Sequence, residues 1–237
     1  MFQYFFIQVM KMVNVVAIIP AYNEEQALPD VISKTLKYVD KVIVVNDGSV
    51  DRTAEIAFEA GAEVINHSTN LGKGEALKSG FKAISDDSII ITIDGDGQHN
   101  PNEIPDLIRP IIEDGVDLVN GSRYLNGPEE NTPAYRRVGQ KVLDIATNIS
   151  AGIKVTDSQS GFRAFSNRSK DYFRFKDTGF GIESEMLVDA AEAGLKIVEV
   201  PITVRYDLDG STKDPITHGV GVLLNITKDK ILRTFKK

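Results

Sequence analysis

Residues 88–99 read SIIITIDGDGQH, an apolar run followed at once by two aspartates with one glycine between them. The run has the length and the β-branched composition of a buried strand. Asp94 and Asp96 follow that strand at positions i and i+2, so they can share one divalent cation, which in turn can hold a diphosphate. Gly95 allows the backbone to approach such a ligand closely. The stretch therefore predicts an enzyme that uses a metal and a nucleotide diphosphate.

The acidic loop has two simpler interpretations. An EF-hand would have Gly at its sixth position and Glu at its twelfth, but counting from Asp94 these positions hold His99 and Pro105. A solvated turn without a ligand stays open, because Asp and Gly are common turn residues and a lone Asp-x-Asp pattern is weak. The residues of the other loops are needed to distinguish such a turn from a metal site.

Length and composition indicate one large α/β domain. The chain has 237 residues, of which 42% are hydrophobic, so it can bury a sizeable core. Its net charge of −7 argues against a nucleic-acid partner, because nucleic-acid-binding faces are normally basic. There are no cysteines, and His67, His99 and His218 are widely spaced. Neither a disulfide nor a zinc site of Cys or His ligands is therefore expected.

Residues 1–12 form an apolar N-terminal extension, interrupted by glutamines and without the basic start of a signal peptide. Three interpretations stay open: an amphipathic anchor, a packed first segment, or an extension upstream of a start at Met10 or Met12. Nowhere does the chain reach the ~18 uninterrupted apolar residues of a membrane span. We therefore expect a cytoplasmic protein whose contact with a membrane is peripheral.

Hydrophobic periodicity along the chain predicts strands that alternate with helices. The predicted strands cover residues 13–20, 41–45, 62–65, the run before Asp94, 116–120 and 196–204, and the predicted helices cover 24–38, 54–60 and 74–84, with others starting near 101 and 181. Such a βαβ series predicts a mostly parallel central sheet flanked by helices. Ligands of such sheets gather at the carboxyl ends of the strands.

Polar residues follow the predicted strands at those carboxyl ends. Residues 20–24 read PAYNE after the first strand, and residues 46–51 read NDGSVD after the second. Taken singly, Asn23 could cap the first helix, and Ser49 or Asp51 could cap the second. Together with the acidic loop, three polar strand ends on one edge of the sheet indicate a binding site.

Five ordered motifs carry a resemblance to a known family. They are PAYNE at 20–24, NDGS at 46–49, NLGKG at 70–74, DGDGQH at 94–99 and GSR at 121–123. This set resembles the family 2 glycosyltransferases with a GT-A fold, and within them the dolichol-phosphate mannose synthases and other polyprenyl-phosphate glycosyltransferases. The resemblance runs from about residue 14 to 213. It implies a nucleotide-sugar donor and a dolichyl or polyprenyl phosphate acceptor.

The resemblance also implies roles for individual residues. Around the base and ribose of the donor it puts Pro20, Tyr22, Glu24, Val45 and Asp47. Asp94, Asp96 and Gln98 correspond to the ligands and neighbours of an Mg²⁺ or Mn²⁺ that holds the diphosphate. Lys73, Gly95, Arg123, Arg205 and Lys213 complete the implied donor site. The chemistry agrees, since an aromatic ring can stack near a base and carboxylates can accept hydrogen bonds from ribose hydroxyls.

The second half of the chain is expected to receive the acceptor. Residues 157–165 read DSQSGFRAF and resemble the family's D-x-x-S-G-F-R-x-F segment, in which Ser160 and Arg163 are the implied acceptor contacts. Arg123, Arg137 and Arg163 are candidates to grip phosphates, because a guanidinium can make two hydrogen bonds to a phosphate. For Arg137 a solvated pair with its neighbour Arg136 stays open, and for Arg163 a structural ion pair, for instance with Asp157.

The acceptor decides how much acid–base chemistry is needed. A sugar hydroxyl must lose its proton when it attacks, so it needs a carboxylate base. A phosphate is already anionic, so metal stabilisation of the leaving diphosphate and alignment of the attacking oxygen suffice. We therefore expect inversion at the anomeric carbon, a catalytic role for Asp96 through the metal, and only an orienting role for Asp157.

One departure from the family's pattern affects the donor. Dolichol-phosphate mannose synthases have an Arg three residues before the Gly of the segment that matches 205–213, and this chain has Asp207 there, although Lys213 is retained. Arg205 could substitute from a shifted loop. GDP-mannose, UDP-glucose and UDP-N-acetylglucosamine therefore all stay open as donors. The same Gly-containing loop is expected to close over the diphosphate. Glu183 and Glu185 are interpreted as acidic residues that complement a helix amino terminus.

We predict a glycosyltransferase domain over residues 13–213, with a donor half at about 13–123 and an acceptor half at about 124–213. Residues 214–237 are predicted to form a basic amphipathic helix that either lies on an anionic membrane or packs on the core. A family 2 enzyme with a saccharide or protein hydroxyl acceptor is the main alternative. A nucleotidyltransferase and a catalytically silent binding subunit are weaker ones, and the sequence leaves the oligomeric state open.

Overall fold

The structure is a computed structural model that describes residues 13–85, 87–125, 134–179 and 181–205, with only the backbone of 134–138. The predictions for residues 1–12, for Lys213 and for the helix at 214–237 lie outside this part of the chain. So do most of the loop at 205–213 and the side chain of Arg137. The domain boundaries therefore stay predictions.

Strands and helices alternate through most of the described chain. The strands are β1 Asn14–Ala21, β2 Lys41–Asn46, β3 Glu63–Asn66, β4 Ser88–Thr92, β5 Leu118–Ser122, β6 Arg163–Phe165 and β7 Ile197–Pro201. The helices are α1 Leu28–Thr35, α2 Thr53–Glu59, α3 Lys73–Ala83, α4 Ile104–Asp114, α5 Ala134–Ala151 and α6 Ile182–Glu192. Two 3₁₀ turns lie at Pro101–Glu103 and Asn167–Tyr172.

The seven strands form one sheet in the order β3-β2-β1-β4-β6-β5-β7. All neighbouring pairs are parallel except those made by β6, which runs antiparallel to both β4 and β5. The expectation of a mostly parallel sheet flanked by helices is confirmed. The short antiparallel strand β6 is an addition, because three residues of RAF carry too little periodicity to predict a strand.

Both faces of the sheet are covered by helices. In β1, Ala17 and Ile19 pack into a cluster with α1, α2 and α4, whereas Val16 and Ile18 pack into a second cluster with α3 and α6. This alternation follows from the period of two in a strand, which sends neighbouring side chains to opposite faces. Because both faces are apolar, the polar residues of the domain concentrate at the strand ends.

The predicted element positions are confirmed to within a few residues. Strand β1 begins and ends one residue later than predicted, and α1 is shorter than the predicted helix at 24–38. Residues 22–27 instead form a loop, and Asn23 and Glu25 in it make hydrogen bonds to the loop after β2. Strand β7 ends at Pro201, and the predicted strand to residue 204 continues only as a single antiparallel bridge between Val204 and His99.

Candidate functional site

The topology brings three loops and one oppositely directed segment to a single edge of the sheet. Strands β1, β2 and β4 are parallel, so their carboxyl ends lie together. Strand β6 runs the other way, and Arg163 at its start pairs with Thr92 at the end of β4 and with Asn120 in β5. The segment before β6 therefore reaches the same edge as the acidic loop. This geometry brings together the strand ends that the sequence predicts to share one site.

Asp94 lies at the centre of this edge and is paired with a lysine. Lys73 Nζ is 2.6 Å from Asp94 Oδ1 and also 2.6 Å from Oε1 of Glu183, and its side chain is 13% exposed. Burial would raise the pKa of Asp94, but the Lys73 ammonium and the neighbouring His99 ring outweigh burial and hold that pKa well below its usual range. Glu183 thus belongs to the site. The sequence indicates only a helix-end role for Glu183, because nothing in the sequence links α6 to the acidic loop.

The carboxylate of Asp94 is backed by the main chain of the 157–165 segment. A Cβ added to Gly161 would lie only 2.5 Å from Asp94 Oδ2 and 2.7 Å from Oδ1. The Thr92 hydroxyl donates to the Gly161 carbonyl at 2.9 Å and holds the two strands' ends together. Only glycine leaves room for this approach, so the Ser-Gly-Phe pattern is explained by contact with the acidic loop.

Asp96 and Glu24 carry the unbalanced negative charge of the site. Among the described residues neither has an ion-pair partner, and Asp96 accepts one hydrogen bond, from the Gln98 amide at 3.0 Å. Burial, and then the charge of Asp94, raises the pKa of Asp96. Burial, Asp96 and Asp94 raise the pKa of Glu24 to about 7. Carboxylates under such mutual repulsion favour a bound cation.

A divalent cation fits this edge only if the substrate completes its coordination. Within the described ranges, no group of three or more His, Asp or Glu side chains is arranged to hold a metal by itself. Mg²⁺ is commonly held by one or two carboxylates together with substrate phosphates and water. Asp94 and Asp96, both partly accessible, and the half-buried Gln98 suit such a site.

The chain after β7 returns to the acidic loop. The Arg205 amide donates to the Gln98 carbonyl at 2.9 Å, and His99 pairs with Val204. His99 also packs on the Phe162 ring at 5.3 Å, with Nε2 3.7 Å from Asp94 Oδ2. Arg205, an implied donor contact, is thereby held beside the predicted metal site.

Arg123 and Asp157 form a two-point ion pair. Nε and Nη2 of Arg123 donate to Asp157 Oδ2 and Oδ1 at 2.6 and 2.7 Å, and the Arg123 amide adds a third bond at 3.1 Å. Burial alone would raise the pKa of Asp157, but the Arg123 guanidinium lowers this pKa by more, so the net shift is downward. Asp157 is 1% exposed. The carboxylate therefore stays charged and is occupied in holding Arg123.

The two implied acceptor contacts are buried. Arg163 is 1% exposed and donates from Nη1 to the Glu183 carbonyl at 2.7 Å and from Nη2 to the Ser158 carbonyl at 2.9 Å. Burial lowers its pKa to about 10. Ser160 is also 1% exposed and accepts a hydrogen bond from the Phe162 amide. Direct contact of either side chain with an acceptor has no support in this geometry, and the suggested ion pair of Arg163 with Asp157 is replaced by bonds to carbonyls.

The implied base and ribose contacts differ widely in accessibility. Tyr22 is 45% exposed, and Pro20 is half-buried opposite Val45 in the β1–β2 pairing. The Val45 side chain is fully buried in the core. These positions are consistent with a stacking role for Tyr22 and argue against side-chain contact by Val45.

Asp47 is engaged within the protein. Its carboxylate accepts hydrogen bonds from the amides of Leu71 and Gly72 at 2.9 and 2.7 Å. His67 Nδ1 lies 2.7 Å from Asp47 Oδ1, and His67 Nε2 lies 2.9 Å from the Ser79 hydroxyl. Asp47 thus fixes the NLGKG loop that carries Lys73, a role that the sequence did not predict. Its contact with the donor base stays a prediction.

The loops after β1 and β2 hold each other. The Asn23 amide donates to Ser49 Oγ at 3.0 Å, and Asn23 Oδ1 accepts from the Val50 amide at 2.9 Å. Asn23 has a φ of 57°, a left-handed conformation that Asn tolerates. Asp51 accepts from the Thr53 amide at the start of α2, as the capping interpretation suggested. Asn23 does not cap α1 but joins the two loops.

Comparison with known proteins agrees with this architecture. The model of "Glycosyl transferase family 2" matches residues 16–173. A UDP-N-acetylglucosamine–dolichyl-phosphate N-acetylglucosaminyltransferase of Methanococcus voltae is 34% identical over 87% of this chain and 90% of its own length. A polyprenol monophosphomannose synthase of Mycolicibacterium smegmatis is 30% identical over 78% of this chain and 75% of its own.

The fold is shared with a crystallised glycosyltransferase. Glucosyl-3-phosphoglycerate synthase from Mycobacterium tuberculosis, in complex with Mn²⁺, UDP and glucosyl-3-phosphoglycerate, superposes with a TM-score of 0.73 at 26% identity, over 95% of this chain and 81% of that one. The resemblance read from the five motifs is confirmed. The chain is a glycosyltransferase with a GT-A fold and belongs to glycosyl transferase family 2.

Proposed function

We propose that this enzyme transfers a sugar from a nucleotide-diphospho-sugar to dolichyl or polyprenyl phosphate, with inversion and with the help of Mg²⁺ or Mn²⁺. The candidate donors are GDP-mannose, UDP-glucose and UDP-N-acetylglucosamine. Relatives named for transfer to dolichyl or polyprenyl phosphate support the acceptor class. Complexes of a structural neighbour with UDP and either Mn²⁺ or Mg²⁺ support a nucleotide donor and a divalent cation.

Asp94, Asp96 and Gln98 would hold the cation. The crowding of Asp94, Asp96 and Glu24, with Asp96 and Glu24 lacking a positive partner within the described residues, supports this assignment. When bound there, the metal would neutralise the charge that develops on the leaving diphosphate. Gln98 contributes an uncharged oxygen, and Lys73, Arg205 and Lys213 would add positive charge around the phosphates.

The Arg123–Asp157 pair is the observation that carries the choice of acceptor. A hydroxyl acceptor needs a general base whose pKa lies near the working pH. Two carboxylates lie at the acceptor side of the site. Asp157 has a lowered pKa and is clamped at both oxygens by Arg123, so it is a poor base. Burial raises the pKa of Asp144 to about 6, but its side chain is buried and accepts a hydrogen bond from the Ser158 amide. A phosphate acceptor is already anionic, and an arginine oriented in this way suits it.

The surface of α5 supports an acceptor that resides in a membrane. Val142, Ile145 and Ile149 are 43%, 51% and 65% exposed, and they lie on one stripe because of their helical spacing. The exposed Lys141 lies next to this stripe. The inner face of the same helix contributes Asp144, which accepts from the Ser158 amide beside Asp157. None of the described helices is long and apolar enough to cross a bilayer. A peripheral contact with anionic lipid fits this arrangement.

The test is an acceptor panel. The purified protein is incubated with Mg²⁺ or Mn²⁺, each UDP- and GDP-sugar, and one of four acceptors: polyprenyl phosphate, the dephosphorylated polyprenol, a free saccharide or phosphoglycerate. Mass spectrometry reports the products. A glycosyl-phospholipid formed from one donor, with no product on the polyprenol, is expected. Products on the polyprenol or the saccharide instead would support the alternative, a family 2 enzyme with a hydroxyl acceptor.

A further inference from the structure

Lys73 occupies a position that a metal cation is expected to take. Its ammonium lies 2.6 Å from Asp94 Oδ1, the first carboxylate of the acidic loop. A divalent cation binds a carboxylate oxygen at about 2.1 Å (Mg²⁺) and strongly repels a second positive charge at that distance. The ammonium therefore competes with a metal for this oxygen.

The main chain of Gly161 lies directly behind the carboxylate of Asp94. Gly161 is packed so closely behind it that a Cβ would lie 2.5 Å from Oδ2. The Gly161 carbonyl is itself fixed by the Thr92 hydroxyl. Main chain thus lies behind Asp94 Oδ2, and the Lys73 ammonium lies at Oδ1.

The backbone of Lys73 is fixed as well. Gly72 has a φ of +97°, and a Cβ added to Gly72 or Gly74 would collide with the Thr178 or Asp177 carbonyl, at 2.2 and 1.9 Å. The Gly74 amide donates to the Thr178 carbonyl at 2.9 Å. The main chain on both sides of Lys73 is thus packed against residues 177 and 178, and Glu183 offers the Lys73 side chain a second carboxylate at 2.6 Å.

We propose that Lys73 is the internal counter-ion of the metal site: its ammonium is shared between Asp94 and Glu183 when no divalent cation is bound and is held by Glu183 alone when one binds. This inference rests on the proposed metal site at Asp94 and Asp96. It gives Glu183 the role of a positioning residue that receives the displaced ammonium. Asp94 then has a cationic partner with and without metal, and the site has a weaker affinity for the metal in return.

Two substitutions shift metal affinity in opposite directions under this proposal. Lys73→Met removes the competing cation, so we expect Mn²⁺ to bind about tenfold more tightly in the absence of nucleotide. Glu183→Gln removes one of the two carboxylates that contact the Lys73 ammonium, so the ammonium stays with Asp94. We therefore expect Mn²⁺ to bind several-fold more weakly. In the double variant Lys73→Met with Glu183→Gln, the second change has no ammonium to act on and is expected to add little.

The measurement is a titration of the full-length protein with Mn²⁺, followed by the loss of the electron paramagnetic resonance signal of the free ion, so no turnover is needed. Lys78→Met on the exposed side of α3, where Lys78 pairs with Glu75, is the matched control and is expected to leave the Kd unchanged. Thermal unfolding without metal verifies that each variant is folded. If Lys73→Met does not fold, the weakening expected of Glu183→Gln still tests the proposal.

Each failure has its own signature. If the wild type binds Mn²⁺ and Asp96→Ala abolishes binding, but Lys73→Met leaves the Kd unchanged or raises it, Lys73 is not a competing cation and the inference is overturned while the metal site stands. An unchanged or lowered Kd in Glu183→Gln overturns it as well. If the wild type binds no Mn²⁺ even with UDP, the proposed metal site and the inference fall together.

Discussion

Arg123 holds Asp157 at both carboxylate oxygens, at 2.6 and 2.7 Å, and the two side chains join the end of β5 to the segment that precedes β6. The pair lies at the sheet edge where the acidic loop also ends. It fixes the direction of an arginine that is a candidate to grip a phosphate, and it leaves the carboxylate a poor acceptor of protons.

Asp157→Asn therefore separates an orienting role from a basic one. The variant keeps the shape of the side chain but weakens the grip on Arg123, so we expect the turnover rate to fall by less than the ~100-fold that marks the loss of a general base. We expect the free energy of unfolding to fall by about 1–3 kcal/mol because charged hydrogen bonds are lost. Steady-state kinetics and urea unfolding measure the two effects.

A loss of turnover as severe as that of Asp96→Ala, in a folded Asp157→Asn protein, would identify Asp157 as a base. The pH dependence of kcat/KM gives an independent reading. If Asp157 is a base, the variant loses the acidic limb of the wild-type profile. If Asp157 only orients Arg123, the variant keeps that limb.

Glu24 makes metal-free stability depend on pH. Burial, Asp96 and Asp94 raise its pKa from 4.5 to about 7, so between these values the folded state binds more protons than the unfolded state. Its contribution to stability is therefore fully present below pH 4.5 and is lost as the pH rises to about 7. We expect Glu24→Gln to have a higher melting temperature than the wild type at pH 8, and a much smaller difference at pH 4.5.

Differential scanning fluorimetry across that pH range, with EDTA and then with Mg²⁺, measures the effect. Mg²⁺ is expected to reduce the difference in melting temperature between Glu24→Gln and the wild type at pH 8, because a cation offsets the repulsion among the three carboxylates. Equal melting temperatures of the two proteins at pH 8 without metal would show that Glu24 is not destabilised by Asp94 and Asp96.

Gly161→Ala tests the close approach behind Asp94. The new methyl group would lie 2.5 Å from Oδ2 and must push the carboxylate forward. A displacement of a catalytic group by about 1 Å can reduce the rate about 100-fold, and we expect a loss of that size. Gly139→Ala is the matched control, since its Cβ has no neighbour within 4 Å on α5. This control is expected to keep full activity and to gain about 0.5–1 kcal/mol of stability.

Product formation by both variants is compared under saturating donor, and Mn²⁺ binding reports the position of Asp94 without turnover. Wild-type activity in Gly161→Ala would mean that Asp94 can yield without consequence. The proposed rigidity of that carboxylate would then be wrong.

Arg163 is expected to act on stability and not on the acceptor. Arg163→Met removes two hydrogen bonds to the Glu183 and Ser158 carbonyls and leaves those buried acceptors without that donor. We expect a loss of about 3 kcal/mol in the free energy of unfolding, measured in urea. The KM for the acceptor is measured at a temperature where the variant is folded. We expect it to stay within about twofold of the wild-type value, because the buried Arg163 side chain is occupied by the two carbonyls and contributes no binding to the acceptor. A large rise in KM with unchanged stability would restore the acceptor role implied by the family's motif.

The sequence predicted the architecture well because the long parallel strands carry strong apolar runs. Residues 88–92 and 41–46 are apolar enough to be recognised as buried strands, and the polar residues after them mark the ligand edge. The acidic loop was recognisable for the same reason. Strand β6 was missed, since its three residues gain their pairing from β4 and β5 and not from a local pattern.

The predictions for individual site residues were less complete, because they depend on contacts between distant segments. Glu183 reaches Lys73 across 110 positions of sequence, and His67 reaches Asp47 only because two loops fold together. The sequence equally gives no sign that Arg163 turns inward to carbonyls. Motif positions thus identify which segments meet, and the structure decides which side chains remain accessible to a ligand.

The most direct test of the account is the rate of glycosyl-phospholipid formation from polyprenyl phosphate and the active donor, measured for the wild type and Asp96→Ala with Mn²⁺ and with EDTA. We expect rapid product formation from the wild type with metal, and rates lower by about 1,000-fold or more in EDTA and in the variant, because no divalent cation then neutralises the charge on the leaving diphosphate. Equal product formation in EDTA or by folded Asp96→Ala would contradict it.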